Sequence, residues 1–255
     1  MSFKTNIVEI TVDNISHHPQ AICFINPKHE FYAKKIKWLK EQFKNGLRIK
    51  LLYLEGEKRA VGFIEYVPGE YCWRSVDAKG YMFIHCLWIN GKKYQHRGLG
   101  TLLIEEVEKD ANDMTGVAVI TSDKSFMAGK EIFIKNGYSI VSESGKEQLL
   151  AKRFIKKGPL PSINKWESEL KFNKGLTIVY SKQCPWVARF IEKVKPILKE
   201  RHLNPRIVEL KSAVEAQKAP SLYSVFNLIH DSKLLADRYI STTRFLNIAK
   251  KEFNS

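Results

Sequence analysis

The stretch Tyr81–Thr101, YMFIHCLWINGKKYQHRGLGT, combines residue types that bind a phosphate-bearing ligand with residue types that move a proton. Its first nine residues, Tyr81–Ile89, are mostly aromatic and aliphatic, which predicts a strand buried on both faces. Gln95–Thr101 then forms a polar turn with two glycines and leads into an amphipathic helix. A helix N-terminus after a glycine turn offers backbone N–H groups and a positive dipole end to an anion. The stretch therefore predicts a phosphate site.

The spacing of the glycines narrows the choice of ligand. A dinucleotide fingerprint requires a third glycine, where Leu103 stands, and a P-loop requires Gly-Lys-Ser/Thr, which is absent. The turn instead reads Q-x-x-G-x-G and resembles the pyrophosphate loop of the GNAT family of N-acetyltransferases. The alternative is an ordinary strand–turn–helix corner that happens to carry two glycines. The resemblance implies that the diphosphate of acetyl-coenzyme A is held by Gln95, His96, Arg97, Gly98, Leu99, Gly100 and Thr101.

Acetyl transfer to an amine requires a base, an acid for the departing thiolate and a hydrogen-bond donor to the carbonyl. The resemblance implies that the pantetheine arm pairs with the end of the buried strand at Leu87, Trp88 and Ile89. His85 lies within the apolar run, and an unperturbed histidine pKa of ~6.5 suits proton removal at neutral pH. Alternatively, His85 is a structural residue of the core whose imidazole hydrogen-bonds to a backbone carbonyl. Glu65, on the preceding predicted strand, is the second candidate base.

The acid is not assigned by the sequence. Asn136-Gly137-Tyr138 matches the Gly-Phe corner that closes the core of the resembled family, which often has a tyrosine five residues earlier. Here that position is Phe133, which has no proton to donate. Tyr94, Ser125 or solvent must then protonate the thiolate. This departure keeps open a second interpretation, a non-catalytic module that binds acyl-coenzyme A.

The order of the predicted elements extends the resemblance along the chain. Residues 1–155 read as an α/β (α+β) domain with a mixed sheet flanked by helices, as in the GNAT family. Residues 156–174 begin with KKGPLP and read as a linker. Residues 175–255 resemble a smaller thioredoxin-like domain, with Pro220 where that family has its cis-proline. The combination resembles the YoaP-like acetyltransferases.

Cys184 stands at the start of a predicted helix, directly before Pro185. The positive end of a helix lowers the pKa of a cysteine and favours the thiolate, and Lys182 adds a nearby positive charge. Val187 replaces the second cysteine of a C-x-x-C motif, so a dithiol cycle within this motif is excluded. Three roles remain: a mixed disulfide in a thiol-redox protein, the positioning of a thiol-bearing acceptor, or a remnant of the fold.

The amino-acid composition limits the classes of protein to which this chain can belong. A hydrophobic fraction of 44% predicts globular domains, and no apolar run reaches the ~18 residues of a membrane span. The first ten residues lack a signal-peptide pattern, and four scattered cysteines without metal-type spacing fit a reducing cytoplasm. Residues 171–255 hold 16 bases against 7 acids, a net +9 of the total +15, but spread along predicted helices. We therefore expect a cytoplasmic enzyme that takes acetyl-coenzyme A and an amine of a small molecule or peptide, without a metal, a membrane or a nucleic-acid partner.

Overall fold

The computed structural model describes residues 4–21, 23–122 and 128–253. Contacts divide the chain into two compact units. The first comprises Met1–Pro27, Leu39–Cys72 and Asp77–Ile163; the second comprises Lys28–Trp38, Trp73–Val76 and Asn164–Ser255. The second unit thus includes two segments from the part of the chain that the sequence assigns to the first domain. The division after Ile163 falls inside the predicted linker.

The first unit contains a seven-stranded mixed sheet. The strands of this part of the chain are β1 (Thr5–Ile10), β2 (Arg48–Leu54), β3 (Gly62–Pro68), β4 (Val76–Asp77), β5 (Tyr81–Ile89), β6 (Gly116–Ser122), β7 (Ser139–Ser144), β8 (Glu147–Arg153) and β9 (Ser162–Ile163). The order in the sheet is β1-β2-β3-β5-β6-β8-β7, and all neighbours are antiparallel except the parallel pair β5–β6. The predicted mixed sheet is confirmed. The alternation over Ile7–Ile15 predicts a first strand with that span, whereas β1 ends at Ile10 and Ile15 lies in a 3-10 turn.

Three helices accompany these strands: α1 (Glu30–Phe43), α2 (Leu99–Asp110) and α3 (Lys130–Lys135). Helix α2 buries Leu103, Ile104 and Val107 in one apolar cluster with side chains of β2, β3, β5 and β6. These residues recur every three to four positions, which is why one face of α2 packs on the sheet. The sequence pattern predicts a helix over Phe126–Asn136, and Phe126 lies outside the described residues.

The second unit contains a four-stranded sheet. Its elements are α4 (Glu167–Leu170), β10 (Leu176–Ser181), α5 (Pro185–Glu200), β11 (Arg206–Leu210), α6 (Ala213–Gln217), β12 (Phe226–His230), β13 (Lys233–Ala236) and α7 (Thr242–Glu252). The sheet order is β11-β10-β12-β13, with β10 and β11 parallel and the other pairs antiparallel. The predicted succession of strands and helices over residues 175–255 is confirmed, and the thioredoxin-like interpretation remains a prediction. The expected cis-proline is wrong: among the described residues there is no cis peptide bond, so Pro220 is trans.

Three wider features of the described residues bear on function. None of the four cysteines is in a disulfide. Within residues 4–21, 23–122 and 128–253, no group of three or more His, Cys, Asp or Glu side chains is arranged to hold a metal ion. Over the same ranges, no helix combines the length and the apolar character that crossing a membrane requires.

Candidate active site

The central strand β5 has one edge that is only half covered. Its antiparallel pairing with β3 continues to Gly62↔Ile89, at the end of the strand. Its parallel pairing with β6 ends at Ile84↔Val119. The two parallel strands therefore separate beyond Ile84, and the backbone of the last residues of β5 borders the opening. An edge of this kind can accept an extended ligand that pairs as an additional strand.

The turn before α2 leaves backbone donors available. His96 and Gly98 have φ of 58° and 77°, and Gly98 is the N-cap, without a side-chain cap. The Leu102 amide donates to the Gly98 carbonyl at 3.3 Å. The amides of Leu99, Gly100 and Thr101 have no acceptor among the described residues. These amides and the positive end of α2 together form an anion site.

The end of β5 and the turn line one cleft of about 750 Å³. All ten residues predicted to hold the coenzyme line it: Leu87, Trp88, Ile89, Gln95, His96, Arg97, Gly98, Leu99, Gly100 and Thr101. The sequence analysis missed the lining from α3 and the segment before it, namely Ala128, Gly129, Glu131, Ile132 and Lys135. Lys135 adds a cation to the cleft, and no local pattern distinguishes it from a solvated lysine.

The two glycines of the turn serve different purposes. A Cβ at Gly98 would have no protein atom within 4 Å, so this position is open on the ligand side and requires glycine for its positive φ. A Cβ at Gly100 would lie 2.6 Å from Cδ1 of Ile132. Gly100 therefore permits the packing of α2 against α3. A bulkier residue at Gly100 therefore requires the end of the Ile132 side chain to move.

The two candidate bases lie side by side. The register of β3 and β5 shifts, with Glu65 opposite Cys86 and Tyr66 opposite Ile84, so His85 occupies a β-bulge. Bulges often occur beside active sites, because they redirect a side chain. His85 Nδ1 lies 3.3 Å from Glu65 Oε1. His85 is fully buried and Glu65 is 3% exposed. The pair can hold and pass a proton, but an amine reaches it only through a neighbouring group or water.

Tyr94 and Ser125 are the two side chains predicted as candidate acids. Tyr94 lines the cleft, and its hydroxyl donates a short hydrogen bond to Glu57. This bond, with a second from Lys93, lowers the pKa of the Glu57 carboxyl. The Tyr94 proton is therefore directed at a carboxylate rather than into the cleft. Phe133 is buried against Tyr138, their ring centroids 5.5 Å apart. Ser125 lies outside the described residues.

Cys184 is the N-cap of α5 in the second unit and is half-buried. Its carbonyl accepts from the amides of Val187 and Ala188, at 3.1 and 3.3 Å. Pro185 occupies the first helical position, as predicted. Lys182 Nζ lies 2.7 Å from Glu209 Oε1, so its charge is paired with a carboxylate. Lys182 is therefore less able to stabilise a Cys184 thiolate than the sequence suggests.

Comparison with known proteins identifies sequences that are similar to this chain. The model of the acetyltransferase (GNAT) family matches residues 14–126. A Bacillus subtilis (strain 168) protein named uncharacterized N-acetyltransferase YoaP is 28% identical over 246 residues, which cover 93% of this chain and 96% of that protein.

Two solved structures also align with this chain. The PaiA N-acetyltransferase from Thermoplasma acidophilum, in complex with coenzyme A, is 13% identical and covers 59% of this chain and 99% of its own, with a TM-score of 0.41. An acetyltransferase from Thermus thermophilus is 16% identical and covers 59% and 97%, with a TM-score of 0.43.

The family match overlaps the strands and the turn that line the cleft. Residues 14–126 are therefore similar to a GNAT acetyltransferase domain, and the chain is an enzyme of the acyltransferase class.

Proposed function

We propose that this protein transfers the acetyl group of acetyl-coenzyme A to an amine of a small-molecule or peptide acceptor. The observation that carries the proposal is the cleft, in which three amides of the α2 N-terminus and the separated end of β5 face the same space. A diphosphate and an extended amide-bearing arm are the two ligand features that such a surface binds.

Each part of the cleft has a role in this proposal. The amides of Leu99, Gly100 and Thr101 donate to the diphosphate, and Arg97 and Lys135 add positive charge at the rim. The backbone of residues 87–89 pairs with the pantetheine arm. A backbone N–H of this segment then donates to the thioester carbonyl and stabilises the charge that develops on its oxygen.

His85 is the proposed base, and Glu65 orients it and is the alternative base. Because the imidazole is fully buried, the proton of the ammonium reaches it through water. The amine nitrogen bonds to the carbonyl carbon, the carbon–sulfur bond breaks, and the sulfur leaves with the electron pair. Since the Tyr94 proton is engaged by Glu57, we assign protonation of the thiolate to water.

For the second unit we propose a thioredoxin-like domain with a single thiol. A half-buried cysteine at the N-cap of a 16-residue helix favours this second activity. The Cys184 thiolate would attack one sulfur of a substrate disulfide and release the other as a thiolate. The localisation that we propose, a reducing cytoplasm, is compatible with such exchange.

Mass-detected acetyl transfer tests the main proposal. The purified chain is mixed with acetyl-coenzyme A and free amines, amino acids or thiol-bearing amines, while calorimetry follows coenzyme binding. We expect saturable binding and an N-acetyl product that depends on the enzyme. Binding with no product from any amine would leave a non-catalytic coenzyme module, and absence of binding would refute the proposal.

A further inference from the structure

A second concavity in the first unit is not used by the coenzyme. It has a volume of about 380 Å³ and is formed by the loop before α1, the β2–β3 loop and the residue after β5. The apolar part of its wall includes Pro19, Phe24 and Ile25. Asn26 and Asn90 supply amides, and Arg59 supplies a charge. This volume is near the lower end of small-molecule sites, so the ligand that fits is small.

The position of this pocket connects it with the proposed reaction centre. Asn90 directly follows Ile89, which lines the coenzyme cleft, and the Asn90 amide donates to the Val61 carbonyl at 2.7 Å. The Phe24 ring packs against Phe63, with centroids 5.8 Å apart. Phe63 and Glu65 are two residues apart on β3, so they lie on one face of the sheet. The pocket therefore borders both the end of β5 that lines the cleft and the face that carries the candidate bases.

The loop that builds the pocket has an unusual backbone. Cys23 and Phe24 both have positive φ, 47° and 58°, although neither is glycine. A left-handed backbone is strained for a residue with a Cβ, and consecutive examples persist only where the surrounding structure requires them. The left-handed conformation at Phe24 accompanies its ring contact with Phe63. A strained loop that carries an aromatic wall is typical of a binding site rather than of a simple connection.

The charges of the pocket indicate its ligand. Among the residues described around it, Arg59 is charged and no carboxylate is present. Arg59 is exposed and makes no ion pair or hydrogen bond with the described residues. A polycationic acceptor would meet a like charge here, whereas a carboxylate would meet a guanidinium that binds it in a bidentate geometry.

We infer that the acceptor is a small, largely apolar amine that carries a carboxylate, such as an amino acid or a dipeptide. Its carboxylate binds Arg59, its apolar body lies against Phe24 and Ile25, and its amine points towards the end of β5. This inference depends on the proposed acetyl transfer for the role of the amine. Binding of the carboxylate by the pocket can be measured without any reaction.

The test is a calorimetric titration of the full chain, with and without coenzyme A. Leucine, phenylalanine and glycyl-leucine are each compared with the corresponding carboxamide and with spermidine. We expect at least one acid to bind about tenfold tighter than its amide, the difference typical of one charge-assisted pair, and spermidine to bind weakest. Arg59→Gln should abolish the difference, and Lys58→Gln, at the neighbouring exposed lysine outside the pocket lining, should preserve it.

Three outcomes would overturn the inference: binding of no acid, tighter binding of amides or spermidine, or an acid preference that survives Arg59→Gln. Failure of the proposed function gives a different result. In that case coenzyme A does not bind or no acetyl product forms, while the acid preference without coenzyme still reports on the pocket.

Discussion

The starts of α2 and α5 have the same local design but differ in what they offer to a ligand. Each helix follows a strand and a short turn, and each carries a residue with a potential function at its first turn. At α2, three amides have no acceptor among the described residues. At α5, Pro185 has no amide hydrogen, and the next amides after Trp186 donate to the Cys184 carbonyl. In the first turn of α5, the Trp186 amide has no acceptor among the described residues.

This difference shows that a helix dipole alone does not make an anion site. The site at α2 depends on the left-handed Gly98, which opens the turn and keeps its donors unused. The turn at α5 satisfies its own donors and presents a thiol instead. We therefore propose acyl-coenzyme binding at the start of α2 and thiol chemistry at the start of α5.

The largest expected difference between the two regions is in turnover. His85→Ala should lower acetyl transfer to a plain amine by about 100-fold or more, because the base is lost, and the low-pH limb of the rate profile should disappear. Cys184→Ser should leave that rate unchanged. Steady-state kinetics with mass-detected product provides the measurement.

Two further variants test whether a loss of activity in His85→Ala is caused by a folding defect. His85→Gln keeps the volume of the buried side chain and its contact with Glu65, and Cys86→Ser is a matched change at the next residue. If His85→Gln retained wild-type kinetics and pH dependence, His85 would be a core residue and Glu65 would be the base.

Helices α2 and α5 are anchored by different interactions, which predicts a measurable effect of mutation at α2 on the free energy of unfolding. Asp110, at the end of α2, lies 3.0 Å from both Arg48 and Lys50 and accepts a short hydrogen bond from Tyr66. Helix α5 is held by an apolar face in its own core. Asp110→Asn should reduce the free energy of unfolding by about 2 kcal/mol, less than for a fully buried pair because the site is partly solvated. Glu55→Gln, which removes the exposed pair with Lys4, should cause no measurable loss.

The pH dependence of this contribution has a defined sign. Burial alone would raise the pKa of the Asp110 carboxyl, but hydrogen bonds from Tyr66, Lys50 and Arg48 bring its pKa below the ordinary value. A carboxyl with a depressed folded-state pKa stabilises the protein above its unfolded pKa, near 3.8, and this stabilisation is lost as pH falls towards the folded pKa. Denaturant unfolding at pH 7 and pH 3 should show the Asp110→Asn difference shrinking in acid. An equal difference at both pH values would contradict this ionic role.

A smaller effect is expected at the second helix start. Alkylation of Cys184 should be fast at neutral pH relative to the fully buried Cys72, because Cys184 is half-exposed at a positive helix end. Glu209→Gln should accelerate it further by releasing Lys182. Cys184→Ser should slow transfer to a thiol-bearing amine a few-fold more than to a plain amine. Alkylation only at alkaline pH, with unchanged activity of the serine variant, would make the thiol structural.

The features that follow from local sequence could be predicted. The bounds of β2, β5 and β11 agree with the apolar runs, and the glycine turn identifies the start of α2. Contacts between distant segments could not be predicted. Lys135 enters the cleft only because α3 packs against Gly100.

The register of strand pairing could not be predicted from the sequence either. The contact between Glu65 and His85 depends on a bulge in the register of β3 and β5. The parallel register that sets Tyr180 opposite Glu209 also brings Glu209 to Lys182. Such contacts follow from tertiary structure, and no periodic pattern in the sequence records them.

Coenzyme binding by two glycine variants tests the central claim most directly. Gly98 and Gly56 have φ of 77° and 81°, and a Cβ at either would meet no protein atom within 4 Å. Gly98→Ala and Gly56→Ala should therefore cost similar stability, roughly 1–2 kcal/mol. Only Gly98→Ala places a methyl group where the diphosphate approaches the turn. Calorimetric titration with coenzyme A should show affinity at least about tenfold weaker for Gly98→Ala and unchanged for Gly56→Ala. Equal affinity in the two variants would contradict the assignment of the α2 start as the diphosphate site.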